Sequence, residues 1–300
     1  MILGGVIVTD RVVCFGEIML RLSTPGHSRF VQADSFDVTY GGGEANVAVS
    51  LANYGLDSVY ITKLPDNPLG DAALNHLRRF GVKTEHIIRG GKRLGIYFLE
   101  SGAAQRPSKV VYDRSHSSIS EIQPGEIDWR KVFDGARWFH FTGITPALSD
   151  SAATVTLEAA RTAKDMGLTV SCDLNYRKKL WSTEKAGQIM GELIKYVDIS
   201  IGNEEDAEKV FGIKAQSTDV TSGKLNREGY KEVAKRLVDE YGLKMAAITL
   251  RESYSASDNG WSAMLYDGRD YYISRKYDVH IVDRVGGGDS FAGGLIYSLI

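Results

Sequence analysis

Cysteine is nearly absent from this 300-residue chain: Cys14 and Cys172 are the only two. Each lies inside an apolar run, VVCF and TVSC. Two isolated thiols exclude a cysteine metal cluster and a disulfide framework, and their settings predict buried core side chains. That usage fits a reducing, cytoplasmic setting. An excess of one charge is also missing, with 36 Lys plus Arg against 38 Asp plus Glu. The balance offers no electrostatic basis for binding nucleic acid or an anionic membrane. No apolar run is long enough to span a bilayer. The apolar start, MILGGVIVTDR, is too short and too promptly ended for a signal peptide. The six histidines are scattered and show no metal-ligand spacing. Repeats and low-complexity tracts are lacking as well.

What is present is an α/β rhythm. Strands are expected at 12–15, 59–62, 138–142, 169–172, 199–201 and 245–249. Helices are expected at 44–54, 71–80 and 149–166, and near 184–196, 204–211 and 228–241. Gly55, Gly81 and Gly167 supply stops for three of them, and Ser149 supplies a cap. Alternation at this spacing predicts parallel strands joined by right-handed crossovers, with helices on both faces. The fold class is therefore a three-layer α/β/α core with a mostly parallel sheet, whose ligands gather at the carboxyl ends of the strands. Stretches 18–40 and 93–120 break the rhythm. They hold short strands at 36–40, 95–100 and 109–114, the last two flanking a polar turn at 101–108. These predict a small β-sheet lid on a core made of 1–17, 41–92 and 121–300; a surface hairpin with no gating role is the other reading. After Asp289 a helix, SFAGGLIYSLI, runs to residue 300 without a cap or polar tail. That pattern predicts a longer native chain.

Four segments carry chemistry. In DRVGGGDSFAGG, Gly286, Gly287 and Gly288 let backbone amides turn toward one point, and Asp289 follows where a helix begins. Donors for phosphoryl oxygens plus a carboxylate to take a hydroxyl proton are what phosphoryl transfer needs. A glycine turn with an Asp capping the helix fits the same spacing. In the segment from Gly41 through Gly42 and Gly43 to Asn46, amides and the Asn46 side chain could hold sugar hydroxyls; a tight packing turn is the alternative. No Gly-Lys-Ser/Thr follows, so it is not a Walker A loop, and it lacks the dinucleotide G-x-G-x-x-G spacing. In DLNYR, directly after a strand, Arg177 could grip a carboxylate or phosphate, or simply pair with Asp173. Tyr97, Tyr112 and Arg114 on the lid could close over the same ligand, or form an exposed face. Finally, Asn203 to Asp206 places carboxylates where they could position hydrated Mg²⁺, or merely form an acidic first helical turn.

Together these segments resemble the ribokinase-like, or PfkB, carbohydrate kinase family along the whole chain. GGGEANVAVSLANYG is similar to that family's N-terminal signature, and DRVGGGDSFAGG to its C-terminal one, usually D-[TS]-x-G-[AG]-G-D. GEIMLRL, Tyr97, VVYDR, ITPAL and DLNYRKKLW further resemble the 2-keto-3-deoxygluconate kinases. The resemblance implies Asp289 as base and the amides of Gly286–Gly288 as anion hole. It implies Gly42, Gly43 and Asn46 on sugar hydroxyls. Around the acid end it implies Tyr97, Tyr112, Arg114 and Arg177, two arginines suiting a carboxylate better than a neutral sugar. Asn203, Thr249, Arg251 and Asp283 would face ATP, and Asp206 would meet Mg²⁺ through water.

The implied function is ATP-dependent phosphorylation of 2-keto-3-deoxygluconate. The rivals are a fructokinase or other neutral-sugar kinase, a nucleoside kinase, and a non-catalytic sugar or nucleotide sensor. Arg284 stands where many members have Thr or Pro, which leaves a K⁺ requirement open. Asp206 replaces the Glu of the family's N-x-x-E motif, and TLRES lacks the usual glycines of the nucleotide loop. In relatives the adenine pocket is partly built beyond the position of residue 300. Exposed lid strands suggest a homodimer through the lid.

Overall fold

Alternation within single strands builds the centre of the molecule. In Arg11–Phe15, Val13 and Phe15 enter one core with Phe139 and Phe141, while Val12 and Cys14 enter a second core on the opposite face. Both faces are therefore apolar, as a sheet sandwiched between helices requires. The computed structural model describes residues 2–3, 6–7, 10–214 and 227–300, so part of the apolar start lies outside them.

Six parallel strands lie in the order Asp57–Ile61, Arg11–Phe15, Ala136–Thr142, Thr169–Asp173, Ile199–Gly202 and Met245–Ser253. Asp258–Tyr266 then adds antiparallel, and both Tyr271–Ile273 and Tyr277–His280 pair with it. The antiparallel edge had no counterpart in the sequence reading. Its strands carry Asn259, Gly260 and Ser262 at pleat positions, which dilutes the apolar alternation. Helices cover both faces, and their ends follow local chemistry. Ser149 Oγ accepts from Ala152 N at 3.0 Å to start Asp150–Asp165, and Asn67 caps Pro68–Arg78. Gly55, Gly81 and Gly167 follow three helices with φ of 92°, 79° and 81°, torsions that L side chains resist. Cys14 and Cys172 are free and buried.

The interrupting stretches form a separate four-stranded sheet in the order Lys109–Asp113, Ile96–Glu100, Met19–Ser23 and Asp37–Gly41. The hairpin is antiparallel, as its polar turn predicted. Met19–Ser23 is the strand that sequence missed; it pairs parallel with Ile96–Glu100 and antiparallel with Asp37–Gly41. The hairpin tip touches the core, where Ala256 N donates to Ala104 O at 2.8 Å. Among the described residues, no helix is long and apolar enough to cross a membrane.

Candidate active site

The carboxyl ends of the parallel strands open into a cleft roofed by the lid sheet. Its most reactive edge is the start of Gly287–Leu299. Gly286 precedes that helix with φ of 92°, and no side chain caps it. Ser290 N finds Gly286 O at 2.8 Å, but the amides of Gly287 and Gly288 have no main-chain acceptor among the described residues. Both glycines line the cleft. Unpaired donors at a helix N-terminus attract anions.

Asp289 stands one residue further on, half-buried in the same wall. Burial pushes its carboxyl up to about 6, against the opposing pull of the Asn46 hydrogen bond and the Arg177 charge. Asn46 Nδ2 donates to Asp289 Oδ2 at 2.6 Å. The two motifs that sequence placed 243 residues apart thus meet through one hydrogen bond. A base poised near neutral pH can accept a proton and still be ionised at pH 7.

The Gly41–Gly43 turn leads into the helix Gly43–Asn53, whose first turn carries Asn46. Gly42 and Gly43 line the cleft. Beneath them the Glu44 carboxylate is fully buried. It takes hydrogen bonds from Thr142 N, Thr142 Oγ1 and Thr145 Oγ1 at 3.1, 2.7 and 2.8 Å. This pin fixes the helix to the strand end behind the Gly41–Gly43 turn.

Arg177 and Arg114 both border the cleft, but they are not equivalent. Arg177 is exposed, and its guanidinium makes no hydrogen bond or ion pair among the described residues; the expected alternative, a pair with Asp173, does not form. Arg114 is already committed. Its Nε donates to Glu17 Oε2 at 2.9 Å, its Nη2 donates to the same oxygen, and Ser117 Oγ donates to Glu17 Oε1 at 2.8 Å. Both arginines expected around the acid end do border the cleft, but the Arg114 charge is matched by Glu17 inside the protein. Tyr97 and Tyr112 sit side by side, ring centroids 6.0 Å apart. Burial pushes the Tyr97 hydroxyl up to about 12, so it stays a donor. Lys178, Lys179 and Lys209 join Arg177 in a groove that continues from the cleft.

The residues expected to face ATP separate in the same way. Asn203, Thr249 and Arg251 line the cleft. Asn203 and Asp206 form a capping box, Asn203 Oδ1 accepting from Asp206 N at 2.8 Å and Asp206 Oδ2 accepting from Asn203 N at 3.1 Å. Asp206 Oδ1 accepts from Tyr176 N at 2.9 Å. The acidic first turn that sequence left as an alternative is thus what Asp206 builds, although its buried side chain also borders the cleft. Asp283 lies in an adjoining hollow with Arg251, Trp261 and Arg284, its carboxylate held by Arg21.

Several cleft residues escaped the sequence reading. Asp173 is buried, and burial, followed by the Asp206 and Asp289 charges, pushes its carboxyl well above the usual range. Asn175 holds the left-handed φ of 37° at the strand end. Trp261 walls off Gly287, where an added Cβ would lie 3.3 Å from its ring. The only signal for the first two was their place after a strand; Trp261 had none. Among the described residues, no three His, Cys, Asp or Glu side chains form a metal cage. Asp173 and Asp206 are the acidic pair left facing the cleft. With both Asp206 oxygens on amides, they suit a hydrated divalent ion better than a directly bound one.

A desolvated carboxylate beside an uncapped helix end, under a sheet lid, can receive a hydroxyl proton while amides hold an incoming phosphoryl group. That combination on a three-layer core defines a ribokinase-like small-molecule kinase. Residues 9–300 match the pfkB family carbohydrate kinase profile, and the chain belongs to that family. It is similar to a 2-dehydro-3-deoxygluconokinase structure from Thermotoga maritima, with 57% identity, TM-score 0.93, and coverage of 97% of this chain and 87% of that one. A PfkB family carbohydrate kinase structure from Listeria grayi is 35% identical with TM-score 0.89, at coverages of 97% and 87%. The 2-dehydro-3-deoxygalactonokinase of Haloferax volcanii is 32% identical over 98% of this chain and 85% of its own length.

Proposed function

We propose that this chain transfers the γ-phosphoryl group of ATP to the terminal hydroxyl of 2-keto-3-deoxygluconate, also called 2-dehydro-3-deoxygluconate. One observation carries the reading: Asp289, raised to about 6, stands beside the unpaired amides of Gly287 and Gly288. The sugar hydroxyl gives its proton to Asp289 as its oxygen attacks the γ-phosphorus in line, and the bond from that phosphorus to the β,γ-bridging oxygen breaks to leave ADP. The two amides take up charge on the phosphoryl oxygens. Asn46 orients the base, and Arg177 meets the sugar carboxylate. Bound Mg²⁺ would supply charge compensation on the nucleotide phosphates, with Asp173 and Asp206 holding it through water. The names of the relatives above, all but one specifying a dehydro-deoxy sugar acid, support the acid substrate.

A K⁺ requirement is not part of this reading, because Arg21 already lays a fixed cation on Asp283. A homodimer through the lid is part of it. Val31, Val38 and Val111 are 91%, 59% and 53% exposed on that sheet and its flank, more than a lone soluble sheet needs.

The test is ADP release with ATP and Mg²⁺ across 2-keto-3-deoxygluconate, its galacto epimer, fructose and ribose. A preference for the acids of about 10²-fold or more is expected. The Arg114–Glu17 pair favours one second reading, a neutral-sugar kinase, and faster turnover of fructose would select it. No ADP release with any sugar would leave a non-catalytic sensor.

A further inference from the structure

Arg21 is a lid side chain with no task in the mechanism above. It sits mid-strand in Met19–Ser23, in register with Thr39 on one neighbour and Tyr97 on the other. Tyr97 is in turn in register with Tyr112. Cross-strand partners share a face, so Arg21 extends the row of the two tyrosines that border the cleft.

Its guanidinium reaches across to the core. Nη1 and Nη2 donate to Asp283 Oδ2 and Oδ1 at 2.7 and 3.1 Å, while Nε donates to Ser23 Oγ at 2.8 Å. The fork is thus used on both edges, and its orientation is fixed from within the lid. Asp283 Oδ1 also accepts the Val285 amide at 3.0 Å. Val285 directly precedes Gly286, whose φ of 92° sets the direction of the glycine turn. Through one carboxylate, a lid side chain therefore grips the main chain that carries the anion hole. The Arg21 side chain is 16% exposed and that of Asp283 50% exposed. The two-pronged geometry, with two guanidinium nitrogens each on one carboxylate oxygen, sets the pair apart from an ordinary surface contact.

We propose that Arg21 is a positioning residue for phosphoryl transfer, acting through Asp283 to align the Gly286–Gly288 turn when the lid covers the cleft. The inference rests on the kinase reading. Lid engagement and amide alignment then become one event, so the transfer machinery is completed only over an occupied, covered site. Misplacing reactive groups by about 1 Å can cost on the order of 10²-fold in rate.

The test measures kcat and KM for 2-keto-3-deoxygluconate in the intact enzyme and in Arg21→Ala, Arg21→Lys, Asp283→Asn and Arg21→Ala/Asp283→Asn. Arg21→Ala is expected to lower kcat about 10- to 100-fold with sugar KM held within about 3-fold. Lysine should restore little, because one ammonium cannot span both carboxylate oxygens. The double variant should be no slower than the slower single one, since both break the same link. Normal kcat in folded Arg21→Ala, or losses that multiply in the double variant, would overturn the proposal. Should Arg21→Ala fail to fold, the near-isosteric Asp283→Asn decides by the same kcat-against-KM split. A wild-type enzyme that phosphorylates no sugar overturns the kinase reading and this inference with it.

Discussion

The turn at Gly41–Gly43 and the turn at Gly286–Gly288 each lead into a helix, and the two helices touch where a Cβ added at Gly293 would lie 2.9 Å from Ser50 Cβ. In the first turn glycine is needed for room. Gly42 has an extended φ of −175°, open to any residue, but a Cβ there would fall 1.8 Å from the Glu17 carbonyl oxygen. In the second, glycine is needed for torsion. Gly286 holds φ of 92°, while the nearest atom to its Cβ position is Asn46 Nδ2 at 3.5 Å. At Gly288 only Asp173 Oδ2 comes as near as 4.0 Å. The first turn is closed against protein and pinned by buried Glu44; the second keeps its amides open to the cleft. One side of the site is built to hold still, and the other to receive a charged group.

Variants can break this contrast. The largest effect is expected from Asp289→Asn, which removes the base but keeps the shape. Turnover should fall about 10²- to 10⁴-fold in a steady-state assay, with sugar KM little changed. Next is the pair Gly42→Ala and Gly288→Ala. The first should cost about 3 kcal/mol in urea unfolding, because backbone must move to admit the methyl. The second should fold normally and lower kcat about 10-fold, through crowding of the anion hole. Arg177→Ala should raise KM for the sugar acid about 10-fold while leaving neutral sugars unaffected, since it removes a guanidinium that has no ion pair among the described residues. The smallest effect is expected from Lys178→Ala/Lys179→Ala: a roughly 2- to 3-fold loss of kcat/KM at low salt that fades near 0.5 M salt as the groove's field is screened.

Local chemistry made the core legible. Glycine stops at Gly55, Gly81 and Gly167, the Ser149 cap and the strand–helix rhythm depend on neighbours in sequence, and the structure carries them where sequence put them. The cleft was legible only as separate motifs. That Asn46 would bind Asp289, or that Glu17 would claim Arg114, is a matter of chain returns spanning 243 and 97 residues. Met19–Ser23 escaped notice because a five-residue run after Gly16 and Glu17 reads as loop until its two partners, one of them more than 70 residues ahead, are in place. Arg21 went with it. The antiparallel edge was hidden by Gly, Ser and Asn in its strands.

The pH profile of kcat/KM for the sugar acid, taken at saturating Mg-ATP in wild type and Asp289→Asn, tests the central claim most directly. A carboxylate raised to about 6 must lose its proton before it can act as base. Wild-type activity should therefore fall about tenfold per unit below pH 6, and the residual activity of Asp289→Asn should lack that limb. Two profiles of the same shape, or a wild-type limb near pH 4, would contradict a desolvated Asp289 as the proton acceptor.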